Sequence, residues 1–285
     1  MNTPHFPIPF VKMSGTGNDF ILIDHRQPLI VPEAMSAFAA AVCRRKFSVG
    51  ADGLILIENS EQADFRWRFF NADGSVAEMC GNGARCAARF AFMQGIAPAK
   101  MCFETLAGLI EAEVSDQEVA VKMTEPHDLR LQQTIMINNV PFTLHSLNTG
   151  VPHAVFFVDN IEETDVRGLG RAIRYHEAFQ PAGTNVNFVQ KRGDAFKVRT
   201  YERGVEDETL ACGTGSAASA IIAALLGQQA ALPVEIITSG NDRLTIFFSL
   251  PEHKTSGSAD IVYNVFLKGP AHAVYQGELT AEALL

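Results

Sequence analysis

Met79-Cys80-Gly81-Asn82-Gly83, running on into Ala84 to Met93, is the stretch around which the rest of the chain must be arranged. From Gly83 to Met93 only Arg85 and Arg89 are charged, one turn apart on a single face. A helix this apolar has to be enclosed by other elements, and Gly95 is placed to end it. Cys80, just ahead of it, stands among unpaired backbone N–H groups at the positive end of the helix dipole. Such surroundings lower a thiol pKa from about 8.5 toward neutrality, so that the group can take or give a proton. Gly81 and Gly83 present no side chain, which lets a carboxylate approach the amide hydrogens.

The device occurs twice. Ala211-Cys212-Gly213-Thr214-Gly215 follows 132 residues on, from position 80 to 212, and opens the uncharged run Gly215 to Leu226. Other landmarks recur at the same spacing within one residue: Thr16-Gly17 with Thr149-Gly150, Gly50 with Gly183, Phe69 with Tyr201, Gly95 with Gly227, Gly108 with Gly240. Six coincidences in one order predict two copies of one unit. The boundary falls near Glu125-Pro126, giving units 1–125 and 126–269, with a strand in about 270–285 free to return to the first. Each unit has many strands and one nearly all-apolar helix. The expected fold class is therefore α+β: two pseudo-symmetric domains, each a curved, mostly antiparallel sheet wrapped round a central apolar helix.

Working outward, Gly15 to Phe20 is a glycine turn leading into a strand over Phe20 to Ile23. Pro32 suits a first helical position, and Met35, Phe38, Ala39 and Val42 recur at helical spacing, so Pro32 to Lys46 reads as an amphipathic helix. Val166, Leu169 and Ile173 mark its counterpart. Leu54 to Ile57 and Phe65 to Phe70 read as strands, and Met101 to Glu104 with Leu109 to Val114 as a hairpin.

The bulk composition narrows the partner. The 285 residues carry a net charge of −9 with no basic cluster, which argues against nucleic acid and anionic membrane surfaces and for a small molecule. Met1 to Phe10 lacks the basic start of a signal peptide, and the apolar run Ala217 to Leu226 is shorter than the roughly 20 residues that span a bilayer. Five cysteines without a C-x-x-C pair predict neither a disulfide framework nor a metal site, and a reducing cytoplasm. Cys43, Cys86 and Cys102 read as packed small hydrophobes, and Arg85 and Arg89 as a solvated face or ion-pair partners. Gly213-x-Gly215-x-x-Ala218 loosely matches a dinucleotide fingerprint, but the acidic Glu206-Asp207-Glu208 precedes it instead of a hydrophobic strand, so no cofactor is expected.

Two thiols converging on the carbon next to a carboxylate could invert its configuration, one removing a proton and the other returning one to the opposite face. Gly15 to Phe20, Asn71-Ala72-Asp73-Gly74, Met79 to Gly83, Tyr201-Glu202-Arg203-Gly204 and Ala211 to Gly215 resemble the diaminopimelate epimerase family over essentially the whole chain. The resemblance implies a cofactor-independent enzyme with its active site in the cleft between the two domains, which interconverts LL- and meso-diaminopimelate, a precursor of lysine and peptidoglycan, and it admits a homodimer. Cys80 and Cys212 match the family's acid/base pair, the former as base toward the LL substrate. Asn18, Asn71, Asn185, Glu202 and Arg203 match its substrate contacts, and Gly81, Asn82, Gly213 and Thr214 its carboxylate cradle. Glu202 suits an ammonium group and Arg203 a carboxylate. Two positions differ from patterns seen in the family: Val151 stands where many members have Asn, and Gly53 where some have Gln. A proline or hydroxyproline racemase shares the two-thiol logic but resembles C-G-H-G, against Asn82 here; a non-catalytic relative would be expected to lose one cysteine.

Overall fold

The structure is a computed structural model in which residues 6–228, 232–250 and 262–285 are described. Met1 to His5, part of the amino-terminal stretch considered above, lie outside them. The chain divides into two compact units, one built from the described residues up to Val121 together with Gly269–Leu285, the other from Lys122–Lys268.

In the first unit the chain forms β1 (Ile8–Gly15), β2 (Asn18–Asp24), α1 (Met35–Val42), β3 (Gly53–Glu58), β4 (Phe65–Asn71), α2 (Gly81–Met93), β5 (Lys100–Thr105), β6 (Gly108–Ser115) and β7 (Glu118–Lys122). The second contains β8 (His127–Ile137), β9 (Val140–Asn148), β10 (Pro152–Phe157), α3 (Val166–Arg174), β11 (Asn185–Arg192), β12 (Ala195–Glu202), β13 (Asp207–Thr209), α4 (Gly213–Leu225), β14 (Val234–Ile237), β15 (Arg243–Ser249) and β16 (Tyr263–Pro270). Finally β17 (His272–Leu279) returns to the first unit and pairs antiparallel with β1, Ile8 opposite Leu279.

The ladders repeat between the units. In the first, β17, β1, β2, β3, β4, β5, β6 and β7 lie side by side in that order. In the second, the order is β8, β9, β10, β11, β12, β14, β15, β16, with β13 beside β12. Each sheet is antiparallel except at the two places where a helix makes the crossover, β2 to β3 and β4 to β5 in one, β10 to β11 and β12 to β14 in the other. A parallel step needs such a crossover because a short turn cannot return the chain to the same end. The registers coincide too: Phe20 pairs with Gly53, and its counterpart His153 with Asn185.

Helices cover both faces, which is why the inner strands read as continuous apolar runs. Phe20, Leu22, Ile55, Trp67 and Phe69 pack on α2, while their neighbours Ile21, Ile23, Leu54, Leu56 and Phe70 pack on α1. In the second unit Val155, Val189 and Val198 face α4, and Ala154, Val186 and Tyr201 face α3. The enclosed helices use small residues where the sheet comes close. Ala84, Ala87, Ala88 and Ala91 do this on α2, and Ala217, Ala218, Ala220 and Ala223 on α4. The buried Ser216 and Ser219 hydroxyls donate to the carbonyls of Cys212 and Gly215, four residues back, so neither is left unsatisfied.

The first helix is shorter than its pattern predicts: a 3-10 turn, Pro32–Ala34, precedes α1, which stops at Val42. Beyond it, Gly50 at φ 74° sends its N–H back to the carbonyl of Val42, ending the helix before Lys46. Cys102 is partly exposed, not packed away like Cys43 and Cys86. Among the described residues no helix is long and apolar enough to cross a membrane.

Candidate active site

Both motif cysteines are N-caps. Cys80 sits ahead of α2 with extended backbone, φ −147° and ψ 118°, and Cys212 ahead of α4 with φ −122° and ψ 110°. Their carbonyls accept the first helical N–H groups, Ala84 to Cys80 at 2.8 Å and Ser216 to Cys212 at 2.9 Å. At Cys212 the sulfur is also a cap: it accepts from Gly215 N–H at 3.4 Å and lies 3.5 Å from the Thr214 hydroxyl. A Cβ built on Gly81 would meet nothing within 4 Å, leaving room beside the first amide of α2.

Around Cys80 the structure joins Asn18 and Asn82. The Asn82 amide N–H donates to Asn18 Oδ1 at 2.6 Å, and the Asn18 amide donates to Asp52 Oδ2 at 3.0 Å. Asn82 Oδ1 in turn receives Arg85 at 2.9 Å and lies 3.0 Å from the Thr16 hydroxyl. Asn71 ends β4 opposite Gly53, and its amide donates to the Ser75 hydroxyl at 3.0 Å.

Arg85 corrects the sequence reading. It is 0% exposed, the largest fully buried side chain among the described residues, and no part of a solvated face. Its guanidinium donates to Thr16 Oγ1 at 2.8 Å, to Asn82 Oδ1, to the Gly81 carbonyl at 3.4 Å and to the Pro270 carbonyl at 3.3 Å. Arg89, partly buried one turn on, donates to the Ala271 carbonyl. The two arginines thus hold the returning segment against α2. The signal was present in the sequence, since a charge within an otherwise enclosed helix has to find buried acceptors.

Around Cys212 the Thr149 hydroxyl donates to the Thr214 carbonyl at 2.9 Å. Thr149 is the repeat counterpart of Thr16, and both turn threonines reach the second residue of their helix. Asn185 is committed at both ends: its amide donates to the Pro152 carbonyl at 3.1 Å, and its oxygen accepts from Arg203 N–H at 2.8 Å. Arg203 also donates to the Ala182 carbonyl at 3.1 Å. Burial raises the Glu202 carboxyl pKa, opposed by a 2.8 Å hydrogen bond from the Thr209 hydroxyl.

His153 is fully buried with its Nδ1 3.1 Å from the Asn187 amide nitrogen, and its Nε2 has no hydrogen-bond partner among the described residues. Burial, reinforced by the Arg203 charge, pushes its pKa down to about 3, so the ring is neutral. Asn187, which the sequence reading missed, also takes the Thr200 hydroxyl at 3.0 Å, and its Oδ1 occupies the place of a Cβ on Gly215. Buried polar side chains in the middle of an apolar strand were its only signal.

The two departures have different consequences. A Cβ at Gly53 would lie 2.6 Å from the Phe69 ring and 2.7 Å from the Phe70 carbonyl, so no larger residue fits there while Phe69 stays in place. Val151 occupies the repeat position of Asn18, so the amide chain beside Cys80 has no copy beside Cys212.

A sequence model of diaminopimelate epimerase matches residues 10–128 and 145–254. The chain belongs to the diaminopimelate epimerase family. It is 48% identical over 283 residues to a diaminopimelate epimerase from Hydrogenobaculum, covering 95% of this chain and 98% of that one. Against the Aquifex aeolicus diaminopimelate epimerase it is 47% identical over 286 residues, with 96% and 99% covered. Among solved structures, a phenazine biosynthesis protein of the PhzF family from Bacillus anthracis superposes with a TM-score of 0.71 at 15% identity, covering 97% of this chain and 100% of that one. A hydroxyproline epimerase from Agrobacterium vitis gives 0.67 at 16%, covering 95% and 90%. At such identities the likeness is one of fold.

Proposed function

We propose that the protein interconverts LL- and meso-diaminopimelate, and that Cys80 and Cys212 are its base and acid. The reading rests on one observation above the others: each unit of a family member begins its enclosed helix at a cysteine N-cap followed by glycine. In the LL direction the Cys80 thiolate takes the proton from the α-carbon, the electron pair is held next to the carboxylate, and the Cys212 thiol delivers its own proton to the opposite face. Cys80 ends as thiol and Cys212 as thiolate, ready for the reverse reaction. The amides at the start of each helix hold the carboxylate while charge builds on it. Glu202 and Arg203 match the amino-acid group at the other end of the substrate.

The test is incubation of the protein in D₂O with LL-diaminopimelate, proline and hydroxyproline, with no added cofactor. Deuterium is expected at the α-carbon of diaminopimelate alone. Label confined to the imino acids would transfer the reading to a proline-type racemase, and label in none of them would leave a binding protein. Cys80→Ala and Cys212→Ala should each lower turnover by about 10²–10⁴-fold or more with the fold intact. Full activity in either variant would sink the two-base scheme.

A further inference from the structure

Arg85, wholly buried one turn into the helix that Cys80 begins, takes no part in the proton chemistry. Its hydrogen bonds start a chain. The guanidinium donates to Asn82 Oδ1, the Asn82 amide donates to Asn18 Oδ1, and the Asn18 amide donates to Asp52 Oδ2, at 2.9, 2.6 and 3.0 Å. A cation stands at one end and a carboxylate at the other. Between them two primary amides lie head to tail, each oxygen toward the cation and each nitrogen toward the carboxylate.

An isolated pair of amides can reverse by flipping both side chains, because oxygen and nitrogen are nearly the same size. Here reversal would turn the Asn82 NH₂ against a guanidinium and the Asn18 oxygen against a carboxylate. Each end forbids it, and burial of Arg85 and Asn82 makes the penalty larger at the inner end. Asp52 is itself fixed, paired with Arg45 at 2.9 Å and accepting from Asp19 N–H at 3.2 Å. Thr16, within 2.8 Å of Arg85 and 3.0 Å of Asn82 Oδ1, braces the inner end.

We propose that Arg85 and Asp52 are positioning residues that set the direction of this amide chain, so that Asn82 and Asn18 both present a remaining N–H beside Cys80 to a carboxylate-bearing substrate. Rigid donors lower the cost of ordering the site when an anion binds. The catalytic part rests on the epimerase reading, whereas the direction of the chain does not. Among the described residues nothing equivalent braces the second unit, where Val151 and Ala217 stand at the repeat positions of Asn18 and Arg85.

The experiment uses the full-length protein, Arg85→Lys, Asp52→Ala and the double variant, each checked for fold by thermal melting. Kinetics with LL-diaminopimelate are joined to NMR of the side-chain amides in protein ¹⁵N-labelled at asparagine. Each single variant is expected to raise KM about ten-fold with kcat changed less than about three-fold. The double variant should be little worse than the poorer single, because either end alone releases the same two amides. Asp52→Ala, on the half-exposed end, should move the Asn82 amide resonance although Asp52 does not touch Asn82. Multiplied effects of about a hundred-fold in the double variant, or an Asn82 resonance unmoved by Asp52→Ala, would overturn the proposal. No turnover by the wild type would overturn the epimerase reading instead, and the resonances would then decide the chain by themselves; they also decide it if Arg85→Lys fails to fold.

Discussion

Gly81 and His153 show how single residues carry different burdens. Beside Gly81 there is open space, and its backbone is ordinary helix, so a methyl group costs the fold nothing there. If the amide hydrogens of α2 seat a carboxylate, that methyl group stands in its way. Gly81→Ala should therefore leave the melting temperature unchanged or raised and increase KM by about ten-fold or more, read by melting and steady-state kinetics. Gly53→Ala is the opposite case. Its methyl would lie 2.6 Å from the Phe69 ring, and a loss of about 1–3 kcal/mol is expected in urea unfolding. For His153, burial holds the folded pKa at about 3, against an ordinary value near 6.5. Between those values the unfolded chain binds the proton and the folded chain does not, so stability is complete above about pH 6.5 and falls as pH drops toward 3. His145, also lowered by burial, adds to the same slope. His153→Gln should flatten the fall in the urea midpoint between pH 6.5 and 4.5. Glu58 acts lower down. Burial would raise its pKa, but hydrogen bonds from His25, Arg68 and Arg66 outweigh that and hold it at about 2. Its contribution is present above about pH 4.5 and disappears toward pH 2.

At the scale of elements, the two enclosed helices end as alike as they begin. Gly95 at φ 65° and Gly227 at φ 71° adopt the left-handed conformation just past α2 and α4. In each, the next residue sends its N–H back to a carbonyl in the last turn, Ile96 to Ala91 at 2.8 Å and Gln228 to Ala223 at 3.0 Å. This is the closing pattern that satisfies the final carbonyls of a helix. A Cβ would meet nothing within 4 Å at either glycine. Gly95→Ala and Gly227→Ala should each cost only the backbone term, about 1–2 kcal/mol in urea unfolding, with the cysteine-capped starts of the helices undisturbed. Unchanged stability in both variants would contradict the conformations described.

For the molecule as a whole, the division into units is unequal in sequence. The second unit is one continuous segment, whereas the first needs Gly269–Leu285 to return. That segment supplies β17, which covers one edge of β1, and the carbonyls of Pro270 and Ala271 that receive Arg85 and Arg89. Removing 269–285 would leave an exposed strand edge and a buried guanidinium short of an acceptor, both costly. Trp67, the only tryptophan, is buried in the core of the first unit. Truncation after Lys268 should therefore shift the Trp67 fluorescence transition to markedly lower urea, and an unshifted transition would show that the first unit is complete without its last strand.

The sequence by itself determined the duplicated unit, the α+β class, the enclosed helices and the cysteines at their starts. These depend on local and periodic features: runs without charge, glycines where φ must be positive, and a pattern that returns after 132 residues. Even the helix caps were readable, since Cys80 and Gly95 bracket the apolar run from outside. Tertiary structure decided what depends on partners distant in sequence. Arg85 reads as a surface charge until the turn at Thr16 and the carbonyl of Pro270 are brought to it. Gly53 stands out in the sequence only as a departure from the family pattern until Phe69 fills its side-chain space, and Asp52 carries no sequence signal until Asn18 donates to it. The physical reason is the same in each case. A charge or a void acquires its meaning from what surrounds it in space, and for these residues the surroundings lie up to 185 positions away along the chain.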